Sequence, residues 1–86
     1  MIINFIKKYV DKLSIDDVYN FSSNNGVQLK SYEADFILEK IKKDWYNLIY
    51  DTDNEILKIK DKLEPTTYLK IKELATFYKN KYNSYL

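Results

Sequence analysis

Three residue types that serve most enzyme chemistry are missing from this chain. It has 86 residues, no cysteine and no histidine, and all 14 of its basic residues are lysine. Without cysteine there is no disulfide, thiolate nucleophile or sulfur-ligated metal. Histidine is the usual proton carrier near neutral pH, and arginine provides two-pronged binding of carboxylate and phosphate. We therefore predict no enzyme, no catalytic residue, no metal site and no cofactor.

Glycine and proline are also scarce, with one of each. Turns that need a positive φ are therefore rare, which argues against a sheet of many strands. No apolar run approaches the roughly 20 residues that span a bilayer. The apolar residues 2–6 are interrupted by Asn4 and followed by two lysines without a small-residue cleavage site, so no secretory signal is visible. We expect a cytoplasmic protein with one helical domain over residues 1–86.

Apolar spacing and capping residues predict an all-α bundle of four to five short helices. The first helix carries an inward stripe at helical spacing: Ile2, Ile6, Tyr9, Val10 and Leu13. Ser14 with Asp17 predicts the N-cap and capping box of the second helix. Gly26 suits the left-handed residue that ends this helix, and residues 27–30 form an extended connector.

The second half of the chain divides in the same way. Ser31 is expected to cap the third helix, and residues 45–50 either continue it or form an extended link. Thr52 and Glu55 match a capping box that opens a fourth helix as far as about Leu63. Pro65 ends that helix and begins the last one near residue 65 or 66. The last helix carries a stripe of apolar and aromatic residues, most of them three or four positions apart: Leu69, Ile71, Leu74, Ala75, Tyr78, Tyr82 and Tyr85.

Charge is nearly balanced, at 14 lysines against 13 acidic residues. A nucleic-acid-binding protein usually carries a basic excess on one face, so composition argues against nucleic acid as the main partner. Acidic residues such as Asp17 and Glu33 stand at predicted helix starts. There we expect them to bind free backbone amides and to favour the helix dipole instead of acting as catalytic carboxylates.

Aromatic residues are the most unusual positive feature, with nine tyrosines, four phenylalanines and one tryptophan. Such rings are favoured at protein interfaces because they offer a large contact area at little rotamer cost. The predicted interaction surface consists of Tyr78, Tyr82, Tyr85, Trp45, Lys79 and Lys81. The function favoured is a non-enzymatic protein–protein interaction module whose partner is another protein or a second copy. The alternative is a weak nucleic-acid-binding protein that uses lysine and aromatic side chains.

The order of motifs resembles a small, uncharacterised family of helical Bacillales proteins of about 85 residues, a domain of unknown function. The resemblance runs through residues 5–6, 13–17, 26–29, 47–51 and 64–67. It implies a cytosolic helical protein from a bacterium and carries no catalytic residues. A second resemblance, over about a third of the chain, joins the second helix, the connector and the third helix. This segment is similar to helix–extended-loop–helix modules of the SAP kind, which bind nucleic acid, although it lacks their concentration of arginine and lysine.

Overall fold

The computed structural model describes residues 2–82, without the side chain of Ile2. Over this part of the chain the fold is all-α. The five α-helices are α1 (Ile2–Lys12), α2 (Ile15–Asn24), α3 (Ser31–Tyr50), α4 (Thr52–Lys58) and α5 (Pro65–Tyr82), and a 3₁₀ turn covers Lys60–Lys62. No strand occurs in the described range. The predicted class of four to five helices is therefore confirmed. The chain divides into two compact units, Met1–Trp45 and Tyr46–Leu86.

In the first unit, α2 starts and ends as its sequence predicts. The Ser14 side chain accepts a hydrogen bond from the Asp17 backbone N–H at 3.2 Å, and the Asp17 carboxylate accepts one from the Ser14 N–H at 2.9 Å. Two amide groups at the helix start are thus satisfied reciprocally. Gly26 has a φ of 76°, which a side chain would strain. Residues 27–30 form a non-helical connector, and Val27 is buried.

The start of α3 differs from the prediction. Ser31 is already helical, and Lys30 stands at the cap position, because the Ala34 N–H donates to the Lys30 carbonyl at 3.0 Å. The Lys30 N–H in turn donates to the Glu33 carboxylate at 3.1 Å. Glu33 is 0% exposed, so this helix start is held by a fully buried acidic side chain. The prediction that Ser31 caps the helix is wrong, whereas the amide-binding role of Glu33 is confirmed.

Residues 45–50 are helical, which resolves the two alternatives in favour of a continued helix. The helix is not regular throughout, since Asp44 has a non-helical backbone with a φ of −121° and a ψ of 22°. The Asp44 carboxylate lies 3.0 Å from the Lys40 ammonium one turn earlier. The boundary between the two units falls immediately after this break, at Trp45 and Tyr46.

In the second unit, the short helix α4 follows α3 after a single residue, Asp51. The predicted capping box at Thr52 is wrong, because the Thr52 hydroxyl donates to the Leu48 carbonyl at 2.6 Å and lies 3.3 Å from the Ile49 carbonyl. Thr52 therefore satisfies the end of α3 and not the start of α4. Helix α4 also ends earlier than Leu63, and the chain tightens into the 3₁₀ turn before α5 begins at Pro65.

Buried apolar residues show how each unit is held together. In the first unit they are Val10, Val18, Val27 and Ala34, and in the second unit they are Ile56, Ile59, Leu63 and Tyr68. Ile56, Ile59 and Leu63 lie three and four residues apart and form the buried side of α4 and of the turn that follows it. Three residues of the predicted apolar stripes are exposed: Tyr9 at 70%, Leu69 at 58% and Tyr82 at 45%. The ring of Tyr68, which was not predicted to be inside, occupies the core position on α5.

Candidate interaction surface

The last two turns of α5 bring three aromatic rings around one ammonium group. The rings of Tyr78 and Tyr82 stack in parallel with centroids 5.9 Å apart, and the ring of Phe77 meets Tyr78 edge to face at 5.2 Å. The Lys81 ammonium lies 5.3 Å from the Tyr82 centroid, 5.9 Å from Phe77 and 6.0 Å from Tyr78. These distances are within the range of cation–π attraction. We call these four residues the ring cluster.

Helical spacing explains why the ring cluster forms. Side chains three or four residues apart lie on the same face of a helix, so Lys81 is a neighbour of both Phe77 and Tyr78. The same spacing places Tyr82 over Tyr78. Phe77 is 57% exposed and Tyr82 is 45% exposed, while Tyr78 is half-buried. The ring cluster therefore presents an aromatic surface to solvent on one side and is anchored to the unit on the other.

Lys79 has a different role from Lys81. Its ammonium lies 3.0 Å from the carboxylate of Asp53, which stands in the first turn of α4. This ion pair joins α4 to α5 within the second unit. Because both side chains are largely exposed, we expect the pair to contribute little to stability. It does, however, neutralise one of the cations that a nucleic-acid surface would need.

An open groove lies along the exposed side of α5, next to the ring cluster. It encloses about 480 Å³ and is lined by Leu69, Lys72, Glu73, Thr76 and Phe77, all of them exposed. Leu69 and Phe77 place two apolar side chains two turns apart, and the residues between them carry both signs of charge. This face therefore combines apolar contact points with polar groups, as the surface of a protein interface does.

A second groove of about 470 Å³ runs between α4 and α5. Ile56, Tyr68 and Ala75 contribute apolar surface to it, and it shares Lys72 and Thr76 with the first groove. The side chain of Leu57 also lines it and is 61% exposed. The exposed face of α5 thus has an apolar depression on each side of the ridge formed by Lys72 and Thr76.

The predicted surface residues are only partly assembled. The structure brings Tyr78, Tyr82 and Lys81 together, and Lys79 follows on the same helix but contacts Asp53. Trp45 is half-buried and belongs to the first unit, and Tyr85 lies outside the described residues. Phe77 was missed, although its position four residues before Lys81 indicated that it would share the face.

Within residues 2–82, no group of three acidic side chains could hold a metal ion, and no buried side-chain nitrogen or oxygen lacks a hydrogen-bond partner. None of the described helices is long and apolar enough to cross a membrane.

Comparisons with protein-family models, with curated proteins and with solved structures found no match. The resemblance to the helical Bacillales family therefore stays a prediction.

Proposed function

We propose that this chain is a non-enzymatic protein–protein interaction module of the cytoplasm, and that α5 carries its binding surface. The observation that supports this function is the ring cluster, which displays Phe77 and Tyr82 to solvent beside the exposed Leu69. Large side chains of this kind lose solvent contact with a favourable free energy when a partner covers them. Aromatic residues are enriched among those that dominate binding energy at interfaces.

The charges on this face favour a protein over a polyanion. Lys72 and Glu73 are adjacent on the groove, and Lys79 is paired with Asp53. A polyanion gains affinity from an excess of free cations, which this mixture of signs does not provide. A protein surface can match both signs, because a typical interface has an apolar centre with a polar rim.

A photo-crosslinking phenylalanine analogue at position 77 tests this function in cells that produce the protein. The matched control is the same analogue at position 32, because the Tyr32 ring is exposed to a similar degree on α3. We expect a discrete adduct from position 77 and none from position 32. Equal labelling from both positions, or no adduct from position 77, would count against the proposal.

The mass of the adduct identifies the partner class. A product of twice 10.4 kDa indicates a second copy, and any other mass indicates a different protein. Light scattering of the purified chain tests self-association independently. A mass that stays at 10.4 kDa at high concentration excludes the homodimer and leaves a different protein as the partner.

A further inference from the structure

The two most exposed aromatic rings described in this protein lie on α1, far from α5 in the sequence. Phe5 is 72% exposed and Tyr9 is 70% exposed. The opposite side of α1 is turned inward, since Val10 is buried and Ile6 is half-buried. The rings are therefore a separate outward feature of the first unit and are not part of its core.

Two lysines share the outward face of α1 with these rings. Lys8 and Lys12 are exposed, and the order Phe5, Lys8, Tyr9, Lys12 follows the i, i+3, i+4, i+7 spacing of one helix face. The ammonium groups of these two lysines make no hydrogen bond or ion pair with another described residue. The only acidic residue of α1 is Asp11, and its carboxylate is held by Lys7 at 3.0 Å. The face therefore carries two cations that no neighbouring acid on α1 neutralises.

The rings and the cations repeat with the same step. Four residues of an α-helix rise about 6 Å, so Phe5 and Tyr9 are separated by one turn, as are Lys8 and Lys12. Each turn thus presents one flat ring and one ammonium group. A single-stranded nucleic acid has the complementary repeat, with one base and one phosphate in every unit. Aromatic stacking on bases beside a basic track is the general mode of such binding.

We propose that the outward face of α1, formed by Phe5, Lys8, Tyr9 and Lys12, binds single-stranded nucleic acid. This surface is on a different helix from the proposed protein-binding surface, and the inference does not rest on that function. The overall charge of +1 does not oppose it, because contacts to phosphate depend on the local charge of the surface. Helix α1 alone carries three lysines against one aspartate.

The surroundings of the rings favour nucleic acid over a protein helix or a membrane. The other exposed side chains on α1 are all polar: Asn4, Lys7, Lys8, Asp11 and Lys12. The apolar area is therefore limited to two rings, which is little for a hydrophobic protein interface. A bilayer would need a broader apolar face, and the aliphatic face of α1 is turned inward. Stacking requires only the flat faces of the rings.

Two stacked bases and two phosphate contacts imply weak, salt-sensitive binding. Non-specific complexes at physiological salt have dissociation constants of about 10⁻⁴ to 10⁻⁶ M, and two contacts place this surface at the weak end. Each phosphate contact to a single strand contributes about 0.7 to the slope of log affinity against log salt concentration. The expected slope for the intact protein is therefore about −1.4.

Fluorescence anisotropy with a labelled single-stranded oligothymidine, and with an oligouridine, tests the proposal on the full chain. Replacing Phe5 or Tyr9 with leucine keeps an apolar side chain but removes the ring, and we expect each change to weaken binding about 5-fold or more. Lys8→Gln and Lys12→Gln should each reduce the salt slope by about 0.7. The matched controls Tyr32→Leu and Lys43→Gln, at exposed positions on α3, should leave affinity and slope unchanged.

Circular dichroism of each variant confirms that the helices are retained. The inference is overturned if the oligonucleotides show no salt-sensitive binding at roughly millimolar protein, the scale set by weak non-specific complexes. It is also overturned if Phe5→Leu and Tyr9→Leu bind as tightly as the unchanged protein. Binding to phosphatidylserine vesicles or to polyglutamate without binding to oligonucleotide would overturn it in favour of a membrane or an acidic protein segment. None of these outcomes depends on the crosslinking result at position 77.

Discussion

Replacing Ser14 with alanine removes the side-chain acceptor of the capping box at the start of α2. The Ser14 hydroxyl accepts from the Asp17 N–H at 3.2 Å, and no other cap satisfies that amide in the described structure. Loss of a serine N-cap typically costs about 1 kcal/mol, within a range of about 0.5–2 kcal/mol. For a chain of this length, 1 kcal/mol corresponds to a fall in Tm of roughly 4–8 °C.

Ser31→Ala is the matched control, because the same substitution is made at another helix start. The Ser31 side chain makes no hydrogen bond with a described residue, and the cap position belongs to Lys30 with Glu33. Alanine has a higher helix propensity than serine, so we expect a change within about ±0.5 kcal/mol. If Ser31 capped α3 as its position in the sequence predicts, the two variants would lose equal stability.

Thermal unfolding followed by far-ultraviolet circular dichroism measures both variants under one set of conditions. The double variant Ser14→Ala with Asp17→Ala adds a further check. Because the two side chains form reciprocal bonds in one motif, their losses should not be additive. Equal losses of stability for Ser14→Ala and Ser31→Ala would refute the capping scheme derived from the structure.

Three further changes test other parts of the fold, each by urea unfolding. Gly26→Ala should destabilise the protein by about 1–2 kcal/mol because the residue has a φ of 76°, although no atom stands within 4 Å of an added Cβ. Gly26→Asn should cost less, since asparagine tolerates that conformation, and an equal loss would contradict the backbone explanation. Leu63→Ala should cost about 2–5 kcal/mol because Leu63 is buried, whereas Leu57→Ala, at an exposed position, should change stability by less than about 0.5 kcal/mol. Similar effects at the two positions would be inconsistent with the core described. Thr52→Val should cost about 0.5–1.5 kcal/mol because its hydroxyl donates a hydrogen bond to a carbonyl at the end of α3, and Thr66→Val, at an exposed residue, serves as the control. Equal stability of these two variants would show that the hydroxyl hydrogen bond contributes nothing.

Local signals in the sequence were sufficient to predict both ends of α2 and the start of α5. Ser14 with Asp17, Gly26 and Pro65 act through their own backbone and nearest neighbours, so their roles do not depend on the rest of the fold. Thr52 was misassigned for a physical reason. A threonine hydroxyl can also donate to carbonyls one turn earlier, and with only Asp51 between the two helices those carbonyls are within reach.

The inward and outward assignment of aromatic residues was less predictable. Tyr9 fits the helical stripe of α1 but is exposed, and Tyr68 is buried near the start of α5. Periodicity alone defines a stripe about 100° wide, and a tyrosine at its edge can turn either way. Which way it turns depends on the helices packed against it, and this information is not local. For the same reason the burial of Glu33 and Glu55 could not be foreseen from helix-start chemistry.

The candidate surface was predicted in part. Tyr78, Tyr82 and Lys81 lie at spacings that require them to meet once α5 is helical. The same spacing predicts that Phe77 lies on this face. It does not predict that Asp53 neutralises Lys79, because the two residues are 26 positions apart in sequence. The pairing depends on how α4 packs against α5.

A scan of the photo-crosslinking analogue along the chain tests the central claim most directly. The positions on the exposed side of α5 are Leu69, Phe77 and Tyr82, and exposed rings at Tyr32 and Tyr46 serve as controls on α3. The interaction-module account predicts adducts to one partner from the α5 positions and none from the control positions. Adducts spread evenly over all five positions, or confined to α3, would contradict it.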